Sequence, residues 1–201
     1  MPMIRRFRPA LVAPLGALAL ASCGLNSIPT AEETAKARWA DVQNEYQRRA
    51  DLVPNLVATV KGYAQQEKSV LTAVTEARAK ATSIQVSADD LKDPGKLQQL
   101  GQAQGELSQA LGRLLSVTEN YPDLKSNANF LALQSQLEGT ENRITIARRD
   151  YNQAVQAYNT RIRTFPDAIG AKVIYGAKPM ATFQATTPGA EKAPTVNFGN
   201  G

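Results

Sequence analysis

Histidine is absent from all 201 residues, so the commonest general base near neutral pH and the commonest metal ligand are both missing. Cysteine occurs once, at Cys23, which excludes an intrachain disulfide. Together the two absences rule out a Ser-His-Asp triad and a zinc site built on His and Cys. No Gly-rich phosphate loop is present. No metal and no cofactor is expected, and what remains for catalysis is a carboxylate pair, a serine with a lysine, or a tyrosine. Charge of one sign is also scarce. The formal net charge of +5 includes Arg5, Arg6 and Arg8; without them twenty basic residues face eighteen acidic ones, a net of +2. A near-neutral chain without a basic stripe lacks the electrostatic footprint of a nucleic-acid binder.

Long apolar runs are missing too. Residues 10–21 (ALVAPLGALALA) make a run of about a dozen, short of the roughly 18 to 20 that a membrane-crossing helix needs. With the arginines ahead of it and small residues behind, this run has the n-region, h-region and cleavage site of an export signal. The tetrad Leu20-Ala21-Ser22-Cys23 resembles the bacterial lipobox, in which cleavage falls between the equivalents of Ser22 and Cys23, the thiol receives a diacylglycerol, and the new amino terminus can be acylated as well. Two or three chains anchor durably, because each buried methylene contributes about 0.8 kcal/mol. Gly24 and Leu25 follow, without the Asp that often retains lipoproteins at the inner membrane. The mature protein is therefore expected on a bacterial membrane, lipid-anchored and facing the periplasm or the exterior, with the outer membrane possible.

The rest of the chain is organised by helical periodicity. Thr30, with Glu32 and Glu33 after it, reads as a helix start. Apolar residues then step by three and four through Trp39, Val42 and Tyr46, again through Val53, Leu56, Val60 and Tyr63, and after Glu67 through Val70 or Leu71, Val74, Ala77 and Ala81. Pro54 predicts a kink or break near Asp51 to Val53, because a proline removes a backbone bond one turn back. Residues 84–95 (IQVSADDLKDPG) read as a loop, with room for a helical turn at 88–92. A second seam runs through Leu97, Leu100, Gln104, Leu107, Leu111, Leu114 and Thr118, and Asn120-Tyr121-Pro122-Asp123 is a turn. A third runs through Phe130, Leu133, Leu137, Thr140, Ile144, Ala147, Tyr151, Ala154, Tyr158 and Phe165 with a coiled-coil-like heptad period. Phe165-Pro166-Asp167 ends it, and residues 168–175 (AIGAKVIY) read as one more helical turn or a short strand. From Gly176 onward seven of 26 residues are Gly or Pro, the composition of a mobile segment.

The expected fold is all-α: an elongated antiparallel bundle of three to four long helices with coiled-coil-like seams and a short non-helical C-terminal tail. The parts are a signal peptide at 1–22, a lipidated tether at 23–30, the bundle at 31–167 and an extended, mobile tail at 168–201. The alternative is that the same seams close between chains, making a homo-oligomer.

The densest charged groups are Glu141 and Arg143 with Arg148, Arg149 and Asp150, and Arg48 and Arg49 with Asp51. They read as an interhelical ion-pair ladder, since charge runs on helices usually face water or flanking helices. Arg48 or Arg49 is placed to pair with Glu141 or Asp150 across the bundle, guanidinium and carboxylate matching as a fork. Tyr151-Asn152 and Tyr158-Asn159 repeat seven residues apart and so present one face. The tyrosines are read as core with their hydroxyls at the edge.

A set of ordered segments spanning residues 39 to 166 resembles the LemA family of bacterial membrane-associated proteins. They are Trp39; Tyr46-Gln47-Arg48-Arg49-Ala50-Asp51-Leu52-Val53-Pro54-Asn55-Leu56-Val57; Val60-Lys61-Gly62-Tyr63; Glu67; Ala77-Arg78; Tyr121-Pro122-Asp123-Leu124-Lys125; Thr140-Glu141-Asn142-Arg143-Ile144; Ala147-Arg148-Arg149; the two Tyr-Asn pairs; and Phe165-Pro166. The resemblance implies an extended helical bundle outside the cytoplasm behind an N-terminal anchor, no established enzymatic activity, a role for some members in membrane organisation or stress, and frequent association with TPM-domain proteins. Two features depart from the family. Many members are similar to single-span proteins without a lipobox, and Thr182-Phe183-Gln184 stands where an aromatic pair and Glu are common. The expected function is a non-catalytic, membrane-tethered scaffold or adaptor for other envelope proteins. A self-assembling envelope coat and an envelope hydrolase are the alternatives.

Overall fold

A computed structural model describes residues 26–184, and the described residues are all-helical, without a strand. The helices are α1 (Ser27–Tyr63), α2 (Lys68–Ser83), α3 (Pro94–Thr118), the single turn α4 (Pro122–Lys125), α5 (Ala128–Arg161) and α6 (Asp167–Val173). A 3-10 turn, Asp89–Lys92, lies between α2 and α3.

Helix α1 begins at Ser27 rather than near residue 31. Thr30 does not cap: its hydroxyl donates to Asn26 O at 2.7 Å, inside the first turn. Pro29 is harmless there, because first-turn N–H groups have no helical partner to lose. The predicted break near Asp51 to Val53 does not occur. Pro54 sits inside a helix of 37 residues, about 55 Å long by the helical rise. The break comes instead at residues 64–67, just after Gly62, a residue that weakens helix continuation. The chain turns back there, and the stripe at Val53, Leu56 and Val60 shares one core with Leu71, Val74 and Ala81. Pro54 is tolerated because the carbonyl its missing N–H would have engaged, Ala50 O, accepts from Arg78 Nε on the returning α2 at 2.7 Å.

The remaining helices begin as their sequences suggest. Pro94 takes the first turn of α3, where the Asp93 carboxylate accepts from the N–H groups of Gly95 and Lys96. The Asn127 side chain accepts from Phe130 N at the start of α5.

Cross-helix bonds fix the directions. Ser27 reaches Asp167, Glu45 meets Arg143, Arg49 meets Glu141, and Tyr63 meets Asn127. As one number rises the other falls, so α1 and the α5–α6 segment run antiparallel. Lys80 with Glu106 and Ala81 with Gln104 agree with α2 running antiparallel to α3.

The apolar interior falls into two clusters. One, toward Ser27, holds Ile28, Trp39, Val42, Tyr46, Leu97, Leu100, Ile144, Tyr151 and Tyr158. The other, toward the 64–67 turn, holds Leu56, Val60, Val74, Leu107, Leu114, Leu124 and Phe130. Two seam expectations fail. Phe165 is 83% exposed, four residues beyond the end of α5, and Tyr63, the last residue of α1, is 45% exposed.

The described part of the tail takes the helical alternative read for residues 168–175 and differs from the mobile segment expected from Gly176 onward. Residues 167–173 form α6; Gly176, at φ 54°, turns the chain in a conformation that favours glycine. Residues 177–184 then run back along α5 with Met180 and Phe183 buried. Composition misled here because the contacts that hold the segment come from another part of the chain. Ser22, Cys23 and the last seventeen residues, 185–201, lie outside the described residues. Among those described, no helix is long and apolar enough to cross a membrane.

Candidate functional site

The sequence-predicted residues gather into two neighbouring arrangements on the α1–α5 face. The first is a polar layer between the two apolar clusters. Arg49 is buried, at 1% exposure. Its Nη1 donates to Glu141 Oε2 at 2.6 Å and to Ser108 Oγ at 2.8 Å. Its Nη2 donates to Gln104 Oε1. The Ser108 hydroxyl donates to Gln104 O at 3.2 Å, and Gln104 Nε2 donates to Ala81 O at 3.5 Å. One guanidinium thus ties α1 to α3 and α5, with α2 joined through Gln104. An arginine suits this position because its planar donors serve several acceptors at once.

Beside it, Arg143 Nε donates to Glu45 Oε2 and its Nη2 to Thr140 Oγ1, both at 3.2 Å. The cross-bundle pairing of Arg49 with Glu141 is therefore present, and Arg143 with Glu45 is a second rung. Arg48 and Asp51 stand outside the layer. Both are exposed, and Asp51 accepts from Gln47 one turn back at 2.7 Å. Arg149 and Asp150 bind each other on the exposed side of α5.

Two buried atoms in this layer, the Tyr46 hydroxyl and Arg49 Nε, have no hydrogen-bond partner among the described residues. Burial pushes the Tyr46 phenol above its ordinary value, with Arg148 and Arg49 opposing the shift. A cleft of about 560 Å³ opens beside the layer, between Gly101, Gly105 and Gln109 on one side and Glu141 and Arg148 on the other.

The second arrangement clamps the C-terminal strap. Asn159 accepts from Met180 N at 2.9 Å and donates to Met180 O at 2.8 Å. Asn152 does the same to Phe183, accepting at 2.9 Å and donating at 3.0 Å. The tyrosines add one bond each: Tyr151 Oη donates to Ala181 O at 2.8 Å and Tyr158 Oη to Lys178 O at 3.1 Å. Ala181 N donates to Leu91 O at 2.8 Å, closing the other side.

The spacing explains the heptad repeat. Seven helical residues advance about 10.5 Å, and three extended residues advance about 10 Å. Asn152 and Asn159 therefore meet Phe183 and Met180 in register, each amide serving as a neighbouring strand's peptide group would.

Phe183 then enters an aromatic nest. Its ring centroid lies 5.9 Å from Trp39 and 5.7 Å from Tyr151, and these two lie 5.5 Å apart. Arg148 does not pair with Glu141; its guanidinium carbon lies 4.4 Å from the Phe183 centroid. Burial raises the phenol pKa of both Tyr151 and Tyr158.

The family assignment rests on a match to the LemA family model over residues 38–198. The chain belongs to the LemA family. The match extends past the bundle and takes in the strap as well as the polar layer. Among similar proteins, Magnetosome protein MamQ 2 of Paramagnetospirillum magneticum is 29% identical over 157 residues, covering 70% of this chain and 58% of that protein. Magnetosome protein MamQ of Magnetospirillum gryphiswaldense is 27% identical over the same shares. Protein LemA of Metamycoplasma hominis is 29% identical over 121 residues, covering 60% of this chain and 51% of that protein. This LemA-family chain thus spans little more than half the length of the curated relatives it matches.

Proposed function

We propose that this LemA-family chain is a non-catalytic lipoprotein, tethered through Cys23, that acts as a helical scaffold or adaptor for another protein of the bacterial cell envelope. The observation that carries the reading is the use to which its polar side chains are put. Glu141, the best-placed carboxylate for acid-base work, is engaged by the buried Arg49. The repeated Tyr-Asn face is occupied in holding the chain's own backbone. These groups build and orient; none is left poised over a reacting atom.

The strap gives the scaffold a direction. It leaves α6 beside Ser27 and passes Tyr158, Asn152 and Arg148 in turn. The described chain therefore ends at Gln184 beside Arg148, partway along α5 and away from Ser27. A tail delivered at that height suits capture by a neighbouring envelope protein, and a TPM-domain protein is a partner of the kind the family resemblance suggests. The seams of α1 and α5 are taken up within the chain, which weighs against the coat alternative.

The test is site-specific photocrosslinking in intact cells from positions in residues 185–201. A single reproducible envelope protein should be recovered, and Asn152→Ala with Asn159→Ala should abolish it. Crosslinks that scatter over many proteins, or that survive release of the strap unchanged, would count against the reading.

A further inference from the structure

Helix α6 is built inside out. It buries Gly170 and Ala171 against the bundle and turns its large apolar residues outward: Ile169 is 60% exposed and Val173 is 77% exposed. Phe165 at 83% and Ile174 at 60% flank α6 in the chain, two residues before its start and one after its end. Among the described residues the other exposed large hydrophobics are Tyr175, next to Ile174 in the chain, and Tyr63, Leu131 and Ile146 on α1 and α5. Concentrated exposure of this kind marks a surface that meets something apolar.

The position of the patch identifies what it meets. Ser27 Oγ donates to Asp167 Oδ2 at 2.6 Å, which fixes the start of α1 beside the start of α6. Cys23 precedes Ser27 by four residues, and four extended residues reach at most about 14 Å. A lipidated Cys23 therefore holds Ser27, and with it the start of α6, within about that distance of the bilayer. The charge agrees. Residues 161–184 carry Arg161, Arg163, Lys172 and Lys178 against the single acid Asp167, and all four bases are exposed. Each base near an anionic surface contributes about 1 kcal/mol.

We propose that the face formed by Phe165, Ile169, Val173 and Ile174 lies in the headgroup region of an anionic membrane, a second attachment that sets the bundle's angle to the surface. Its geometry rests on the reading of Cys23 as the anchor, but its chemistry does not.

The mature chain from residue 23, carrying Cys23→Ser so that no lipid is attached, should float with vesicles of phosphatidylcholine and phosphatidylglycerol. Binding should fall by about tenfold or more with Ile169→Ser and Val173→Ser, in keeping with two apolar side chains withdrawn, and should weaken in pure phosphatidylcholine and in high salt. Both substituted positions face solvent, so circular dichroism and Tm should stay unchanged. Equal vesicle binding by the parent and the double variant overturns the proposal. So does a dimer in sedimentation that the double variant dissolves without any vesicle binding by the parent. Radiolabelled palmitate incorporation at Cys23 in cells reports on the anchor separately. Unlabelled Cys23 with intact vesicle binding sinks the anchor alone, and labelled Cys23 with indifferent patch variants sinks the patch alone.

Discussion

Arg78 Nε donates to Ala50 O at 2.7 Å, and Ala50 is the residue whose carbonyl Pro54 leaves without its helical partner. A side chain from the returning helix thus repairs the ladder that a proline interrupts, and α1 continues where the sequence predicts a break. Arg78→Met, which keeps most of the apolar stem, should lower stability by about 1.5 to 3 kcal/mol, the range for a hydrogen bond from a charged donor. In a Pro54→Ala background the restored N–H engages Ala50 O, so the same substitution should cost clearly less. Urea unfolding of the four proteins in a double-mutant cycle reads the difference.

Arg49 serves Glu141, Ser108 and Gln104 from one planar group. A lysine has one nitrogen and cannot span all three. Arg49→Lys should therefore destabilise by about 1.5 to 3 kcal/mol, the cost of stranding charge-assisted bonds in the interior. Chemical denaturation monitored by helical signal measures it. A change under a few tenths of a kcal/mol would show that the layer contributes little.

Asn152→Ala with Asn159→Ala removes four bonds to the strap. Amide exchange at Met180 and Phe183 should accelerate sharply while α1 and α5 amides keep their protection. Trp39 emission should shift to the red as Phe183 leaves its stacked position. Strap amides that stay protected would mean that Met180 and Phe183 hold by burial alone.

Two titrations have opposite signs. Asp90 accepts from Lys96 and from both the amide and the hydroxyl of Ser87, and these bonds, Lys96 foremost, lower its pKa from 3.8 to about 2. Its contribution is therefore present above pH 3.8 and is lost as pH falls toward about 2. Carboxyl NMR of Asp90 should give a midpoint near 2, and Lys96→Ala should raise it.

Tyr151 and Tyr158 are shifted the other way by burial. A neutral buried phenol stabilises the fold fully below its ordinary value of 10.0 and loses that contribution as pH climbs above it. Tyrosinate absorbance from these two should thus appear together with loss of the helical signal. Ionisation of both in a fully folded protein would contradict it.

The seams were legible because they repeat. Leu97, Leu100, Gln104, Leu107, Leu111, Leu114 and Thr118 are all buried, as their spacing requires, and the Arg49 to Glu141 pairing follows from charge matching across facing helices. What escaped the sequence was interaction between distant segments. Nothing local says that Arg78 will meet Ala50, so Pro54 alone suggested a break. Nor does a stretch holding Gly176 and Pro179 announce that two asparagines will receive its backbone. The signal available was the Tyr-Asn repeat itself: a heptad of amides on one helix face matches three residues of extended chain, and an aromatic near the C-terminus was the candidate to fill the space by Trp39.

The strap also has a mechanical consequence. Its path lies along α5, so a pull on the chain beyond Gln184, resisted at Ser27, acts parallel to the helix axis. The bonds from Asn152, Asn159, Tyr151 and Tyr158 then bear tension side by side, as in a lap joint. They cannot be peeled one after another by that force, and the load passes into the longest helices of the molecule.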